Sequence, residues 1–289
     1  MTVDAIFRKY ISLFQQYGIA DASDEARVLI CHALNINSAD FFAIPDMTLT
    51  DDEQSAVSAL IERRLKGEPS AYIVGHKEFY GIDFYVDSRV LIPRPETEIL
   101  VEELLAYSRR KAKQPLFIAD VGTGSGAIAI ALALNLATAS VFAIDISAAA
   151  LEVARCNVGR YGLERRVSLL QGDLLSPLAH PIDAVVANLP YVAERDLRAL
   201  PLEISRYEPG IALNGGEEGT AMIDRLLKQV NGKVNRGGIV LLEISPGQED
   251  KISKVVERIV PDAEIVLRDD LAGRKRVLEI TSKDFDIDE

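Results

Sequence analysis

The sequence predicts an α/β fold: a parallel sheet with helices on both faces, preceded by a small N-terminal helical domain and a linking β-hairpin. Three observations carry this. Beyond Pro115, short apolar runs alternate with helical periodicity, the pattern of repeated βα units. The first seventy residues show helical spacing throughout, and between these two regions lies an aromatic, β-branched stretch with turn glycines. At 289 residues the chain has room for about two domains.

Val3, Ile6, Phe7, Tyr10, Ile11 and Phe14 recur at three- and four-residue steps, one face of an amphipathic helix ending near Gly18. Ser23, followed by Asp24 and Glu25, opens a second helix through Ala26, Leu29, Ile30 and Ala33. Thr50 and Glu53 form a capping box for a third, with Val57, Leu60, Ile61 and Leu65 as its stripe and Gly67 and Pro69 beyond its end. From Ala71 to Leu91 the runs Tyr72-Ile-Val, Phe79-Tyr80 and Phe84-Tyr85-Val86 between glycines read as short strands of a hairpin. Pro95, Glu96 and Glu98 suit the first turn of a helix running to Tyr107.

Strand Leu116 to Val121 then leads into helix Ala127 to Leu136, and strand Val141 to Ile146 into helix Ala148 to Tyr161, stopped by Gly162. Further strands are expected at Val167 to Leu170, Ala184 to Ala187, Ile239 to Ile244, Glu264 to Leu267 and Val277 to Ile280. Helices are expected near Thr220 to Val234 and Gln248 to Ile259. The expected division is residues 1–72 helical, 73–92 the hairpin linker and 93–289 the sheet domain.

With 48% apolar and 26% charged residues the chain is an ordinary folded one. Its longest apolar run, Ala127 to Leu136, falls well short of the roughly 20 residues a membrane span requires. The first ten residues carry Asp4, Arg8 and Lys9 rather than the apolar core of a signal peptide, so a cytoplasmic location is expected. The net charge of −12 repels phosphate backbones, and neither the first 92 residues nor the remainder has a basic excess, so direct nucleic-acid binding is not expected. Cys31 and Cys156 lie in no metal or redox spacing, and His32, His76 and His180 fall in three separate segments without ligand spacing; no metal is expected.

Asp120-Val-Gly-Thr-Gly-Ser-Gly126 sits where a strand gives way to a helix. Glycines there let the main chain turn sharply and approach a ligand, and the helix start offers free N–H donors. Gly122, Thr123, Gly124, Ser125 and Gly126 are therefore candidates to hold a nucleotide-like cofactor, although Gly122, Gly124 and Ala127 also satisfy the looser dinucleotide pattern. Asp145 ends the next strand 21 positions after Gly124, where a carboxylate can accept both ribose hydroxyls; capping the following helix is its alternative. Asp173, with Leu174 beside it, follows the third strand and is placed to meet an adenine amino group and ring, or to cap its own loop. After the fourth strand comes Asn188-Leu-Pro-Tyr191. The Asn188 side-chain oxygen and the Leu189 carbonyl can each accept one hydrogen of a planar NH2 group, Pro190 stiffens the turn and Tyr191 offers a ring.

The glycine loop together with Asn188 to Tyr191 resembles the class I (Rossmann-like) S-adenosyl-L-methionine-dependent methyltransferases that modify amino nitrogens. Leu91-Ile-Pro-Arg-Pro-Glu-Thr-Glu98, with a helical domain before it, narrows the resemblance to the bacterial peptide chain release factor N5-glutamine methyltransferases (PrmC/HemK family). Gly75 to Gly81, Tyr207-Glu-Pro, Leu213 to Gly216, Leu242-Glu-Ile244 and Asp270 to Gly273 also have counterparts there. Two positions depart from the family pattern: Leu189 stands where Pro is usual, and Leu174 replaces an aromatic found in some relatives. Because residue 189 would contribute its carbonyl, the clamp is expected to survive.

The resemblance implies transfer of the cofactor's methyl group to the amide nitrogen of the glutamine in the Gly-Gly-Gln loop of release factors, with S-adenosylhomocysteine as product. Asn188 and Leu189 would orient that nitrogen, Tyr191 would hold the glutamine stem, and Asn188 would also border the cofactor. A monomer is expected, and residues 1 to about 72, separate in sequence from the cofactor motifs, are expected to supply much of the surface that meets the partner. Another planar NH2, a ribosomal-protein glutamine or the N6 of DNA adenine, is the alternative acceptor; the acidic chain lacks the basic groove that DNA requires. A dehydrogenase would leave Asn188 to Tyr191 without a purpose. Two features stay open at this level: Pro93 to Glu98 serves either as a helix start or as a wall of the acceptor channel, and Glu243, at a strand end, has no assigned role.

Overall fold

The computed structural model describes residues 1–111 and 115–281. Two compact units emerge, one of Met1–His76 with Pro201–Tyr207 and one of Lys77–Leu200 with Glu208–Glu289.

In the first unit, α1 (Val3–Gln16), α2 (Ala22–Leu34), α3 (Ser38–Ala43), α4 (Asp51–Leu65) and α5 (Ser70–Val74) follow one another. Their cores come from the expected stripes: Val3, Ile6, Tyr10 and Phe14 of α1 join Leu29 and Ile30 of α2 and Val57 and Ile61 of α4. Thr2 caps α1, and Thr50 and Glu53 make the reciprocal capping box of α4. The strand expected over Tyr72 to Val74 is instead the helical turn α5. Ala71, Tyr72, Ile73 and Val74 are all buried, and covering four successive side chains outweighs the strand preference of Ile and Val. Short helices such as α3 and α5 leave too few turns for a legible stripe.

Pro201–Tyr207, read from sequence as part of the sheet domain, belongs to the helical unit through Arg64 of α4. This buried guanidinium contacts Glu25 Oε2 through Nε and Glu203 Oε2 through Nη2, each at 2.6 Å. Removing it strands two carboxylates, one of them 40% exposed at its side chain and so partly screened by water. Arg64→Ala is expected to destabilise the protein by about 2–3 kcal/mol. Urea unfolding followed by far-ultraviolet circular dichroism checks this, and a loss below 0.5 kcal/mol would show that the two pairs contribute nothing net.

The second unit holds the hairpin of β1 (His76–Phe79), from Lys77 on, and β2 (Ile82–Tyr85), and a 3₁₀ turn at Pro95–Thr97 that runs into α6 (Glu98–Arg110). The remaining elements are β3 (Phe117–Val121), α7 (Ala127–Asn135), β4 (Ser140–Asp145), α8 (Ala148–Arg160), β5 (Val167–Gln171) and β6 (Ile182–Ala187). After α9 (Leu202–Tyr207), which lies in the first unit, come α10 (Ala221–Val230), β7 (Val234–Glu243), α11 (Glu249–Ile259), β8 (Glu264–Asp269) and β9 (Lys275–Thr281). Seven strands form one sheet in the order β5-β4-β3-β6-β7-β9-β8. All neighbours are parallel up to β7; β9 runs antiparallel to both β7 and β8. Alternate side chains (Ala119 and Val121, Val185 and Ala187, Val240 and Leu242) bury one sheet face beneath Ile223, Leu226 and Val230 of α10 and Ile252 and Val256 of α11. Helix α6 packs on α7, and α7 on α8 and the sheet. Among the described residues no helix is long and apolar enough to cross a membrane.

The strand order reverses between β3 and β6, and ligands of such sheets bind at the carboxyl ends flanking the reversal. Parallel register aligns those ends: Val121 pairs with Ile144 and Ala187, Asp145 with Gln171, and Ala187 with Leu242. Consequently Gly122, Asp145, Gln171, Asn188 and Glu243, one step past Val121, Ile144, Leu170, Ala187 and Leu242, form one row.

Candidate active site

Above that row lies a cavity of about 580 Å³, in the range that takes a cofactor-sized ligand. Gly122, Thr123, Gly124, Ser125, Asp145, Asp173, Leu174, Asn188, Leu189 and Pro190 all line it. Two other candidates do not. Gly126 is the N-cap of α7, with φ +81, and a Cβ there would stand 3.4 Å from Ala154 Cβ and from Ile130 Cδ1. Tyr191 donates its hydroxyl to Glu243 Oε1 (3.3 Å) and is not among the lining residues.

The glycine loop hangs on β4: Gly122 and Thr123 donate their N–H groups to the Ile144 carbonyl (2.8 and 3.0 Å), and Gly124 N–H donates to Asp145 Oδ2 (2.9 Å). Gly122 has φ +76, and a Cβ there would stand 3.3 Å from Leu189 Cδ2 and 3.5 Å from the Asn188 carbonyl oxygen. Leu189 thus contributes more than a carbonyl, because its side chain packs over the loop. Asp145 also accepts from Ser147 N–H through Oδ1 (2.9 Å), while Ser147 itself caps α8. Each carboxylate oxygen retains a lone pair after one such bond, so hydroxyls can still be accepted. Burial raises the Asp145 carboxyl above its ordinary range, with the main-chain bonds opposing.

Asp173 accepts from Arg225 Nη2 of α10 at 2.6 Å, and Leu174 holds φ 55, a left-handed conformation that leucine rarely adopts. Arg225 was not foreseen, since 52 residues separate it from Asp173. Arg89 and Arg94 also reach the wall, the first paired with Asp87 and Glu152 (2.6 and 2.8 Å), the second with buried Glu208. Arg89 holds the Asp87 carboxyl down at about 2.

Asn188 donates through Nδ2 to Thr97 Oγ1 (3.0 Å), and Thr97 donates to Glu243 Oε2 (2.6 Å). Among the described residues none donates to Asn188 Oδ1 or to the Leu189 carbonyl, which leaves both oxygens for a ligand. Beneath the loop lies fully buried Asp120, whose Oδ2 accepts from Thr123 Oγ1 (2.6 Å) and Ala129 N–H (3.0 Å). Its Oδ1 has no partner among the described residues. Burial pushes its carboxyl up to about 7, the two hydrogen bonds notwithstanding.

A stability prediction follows for Asp120. In the unfolded chain it titrates near 3.9, so between about pH 4 and 7 the folded protein holds a proton that the unfolded chain has lost. This group therefore makes stability fall as pH rises through that window and contributes no slope above it. Asp120→Asn removes the titration, and its stability relative to wild type should climb from pH 4.5 to 7 and then level. Urea midpoints at four pH values measure this, and an unchanging difference would mean that Asp120 titrates normally.

Residues 5–75 match the family model described as the PrmC N-terminal domain, and residues 118–207 match one described as a methyltransferase domain. The chain is 40% identical over 257 residues to the release factor glutamine methyltransferase of Koribacter versatilis, covering 86% of this chain and 90% of that protein. It is 36% identical over 283 residues to the protein of the same name from Rhodopirellula baltica, covering 96% of each. A methyltransferase structure from Pyrococcus furiosus superposes with a TM-score of 0.50 at 17% identity, covering 77% of this chain and 98% of that one, a likeness of fold alone. With that identity over nearly the whole length of its relatives, the chain belongs to the release factor glutamine methyltransferase family.

Proposed function

We propose that this protein methylates the side-chain amide nitrogen of a glutamine in peptide chain release factors, the one in their Gly-Gly-Gln loop, using S-adenosyl-L-methionine and leaving S-adenosylhomocysteine. One observation carries the reading: two unpartnered acceptor oxygens, Asn188 Oδ1 and the Leu189 carbonyl, share a single cavity with a glycine loop at a helix start. The residues present suit the cofactor, since a side chain at Gly122 would crowd Leu189 and Asn188 on the cavity wall. Gly122 to Ser125 would hold its backbone-facing groups, Asp145 its ribose, and Asp173 and Leu174 its adenine. When bound, the cofactor supplies an electrophilic methyl group on a positively charged sulfur.

An amide nitrogen is a poor nucleophile because its lone pair is delocalised into the carbonyl. Asn188 Oδ1 and the Leu189 carbonyl would each accept one of its hydrogens, fixing the amide plane so that the nitrogen lone pair, perpendicular to that plane, faces the donor; the methylated nitrogen then gives up one proton to solvent. Such fixing of two reactants is worth up to about 7–11 kcal/mol of barrier. Pro190 stiffens the turn, and Tyr191 ties its far end to Glu243. The direct test is transfer of label from radioactive S-adenosylmethionine to purified release factors, with an acceptor whose loop glutamine is replaced by alanine as control. Equal label on that control would contradict the assigned acceptor.

The helical unit is proposed to recognise the partner protein, with the enzyme acting as a cytoplasmic monomer without membrane or direct nucleic-acid contacts. Tyr17 and Phe42, 63% and 66% exposed on that unit, are aromatic side chains of the kind that anchor protein interfaces. Tyr17→Ser with Phe42→Ser should raise KM for intact release factor several-fold, to an extent of about 1–2 kcal/mol, with kcat and cofactor affinity kept. An unchanged KM would place recognition elsewhere.

A further inference from the structure

We infer that Thr97, held by Glu243, sets which way round the Asn188 carboxamide sits, keeping its oxygen rather than its NH2 group toward the acceptor. The inference rests on the amide-clamp reading above and assigns work to the two features that the sequence left open, the Pro93 to Glu98 segment and Glu243.

The number of hydrogens on Thr97 decides the orientation. Register places Asn188 beside Glu243, because Ala187 pairs with Leu242. The Thr97 hydroxyl has a single hydrogen. That hydrogen goes to Glu243 Oε2 at 2.6 Å, so toward Asn188 the Thr97 oxygen can only accept. Asn188 meets it with Nδ2 at 3.0 Å. Turning the amide over would set oxygen against oxygen at Thr97 and present a donor to an acceptor group that is itself a donor. The polar order of the chain thus runs from the carboxylate outward and ends on a free Oδ1.

Glu243 is 1% exposed and is no part of the cavity wall, so it acts through Thr97 and not on substrate. It is a positioning residue. Its Oε1 accepts from the Tyr191 hydroxyl, which means that one buried carboxylate secures both ends of the tetrapeptide. Thr97 owes its place to the 3₁₀ turn that Pro95 begins. Its neighbours in the segment are engaged elsewhere: Glu98 accepts from Tyr80 N–H (2.8 Å), and Glu96 faces Arg274 at 3.8 Å.

The same chain reverses when Glu243 gains a proton. A carboxylic acid at Oε2 donates to Thr97, whose hydrogen then turns to Asn188 Oδ1, and the inverted amide offers NH2 to the acceptor's NH2. The groups facing Glu243 are Thr97, Tyr191, Arg276 of β9, which favours its charged form, and Glu96, which opposes it. Burial is the largest influence and pushes its carboxyl up to about 7. Methyl transfer should therefore decline on the acid side of neutrality.

The test is kcat, KM and cofactor affinity of the full chain from pH 6 to 9, with release factor as acceptor. Thr97→Val should lower kcat about tenfold or more while leaving the calorimetric Kd for S-adenosylmethionine within about twofold, and Thr97→Ser should restore most of the loss. Glu243→Gln should halve the plateau, since its amide can sit either way round, and abolish the acid limb. A Thr97→Val enzyme with wild-type kcat, or a Thr97→Ser enzyme no better than the valine variant, would overturn the inference. So would a hundredfold loss in Glu243→Gln, which would mark the carboxylate as a base in its own right. Should Thr97→Val not fold, the Glu243→Gln pH profile decides alone. A wild-type enzyme that labels no glutamine defeats the amide-clamp reading itself, a different outcome from a wild type that methylates and is indifferent to Thr97.

Discussion

Asn188→Ala should reduce kcat for methyl transfer by roughly 100-fold or more while leaving the fold intact. Among the described residues the side chain makes one hydrogen bond, to Thr97, so its removal costs about 1 kcal/mol of stability at most. What disappears is an acceptor oxygen on the cavity wall, and with it the fixed direction of the substrate amide. The Leu189 carbonyl alone leaves that amide free to swing about a single hydrogen bond, and displacements of about 1 Å in a reacting atom are worth factors near 100. Asn188→Asp sharpens the test. The carboxylate keeps size and shape but sets an oxygen against Thr97, whose hydrogen is committed to Glu243. It should fail nearly as badly as alanine despite retaining an oxygen for the acceptor. Steady-state label transfer with a thermal melt for each variant measures this; an alanine variant within threefold of wild type would remove Asn188 from the chemistry.

Gly219→Ala should damage both stability and turnover, by about 3 kcal/mol or more in the first. Its φ is +77, and a Cβ there would lie 2.3 Å from the Tyr191 carbonyl oxygen and 2.6 Å from Gln248 Nε2. Gln248 is itself bonded to that carbonyl (3.0 Å) and to the Gly219 carbonyl (3.3 Å), so the tetrapeptide's end cannot yield without breaking its tether. Gly162→Ala is the control. Its φ is +63 but nothing lies within 4 Å of its Cβ, so only the left-handed backbone penalty of about 1 kcal/mol applies. Equal urea midpoints for the two variants would show that the contact at Tyr191 is relieved without consequence.

The legible parts of this protein are those in which a local rule acts over a few residues. The stripes of α1 and α4 and the Thr50–Glu53 box were readable because helical period and capping need no partner. The glycine loop was readable for the same reason, a sharp turn at a strand end. Where a long-range environment chose the conformation, the reading failed. Tyr72 to Val74, expected as a strand, is helical under the weight of burial. Arg64 could not be paired with Glu203 from sequence, because they stand 139 positions apart.

Composition, periodicity and strand-end motifs by themselves determined the α/β class and the helical start of the chain, and singled out Gly122 to Ser125, Asp145 and Asn188 as candidates. Tertiary structure alone decided their company. Parallel register between β3, β4, β6 and β7 set Gly122, Asp145, Asn188 and Glu243 in one row, and a 3₁₀ turn from a distant segment laid Thr97 across the last two. The physical reason is that side-chain chemistry is carried by each residue alone, whereas a hydrogen bond's direction depends on which donor a folded neighbour brings within 3 Å.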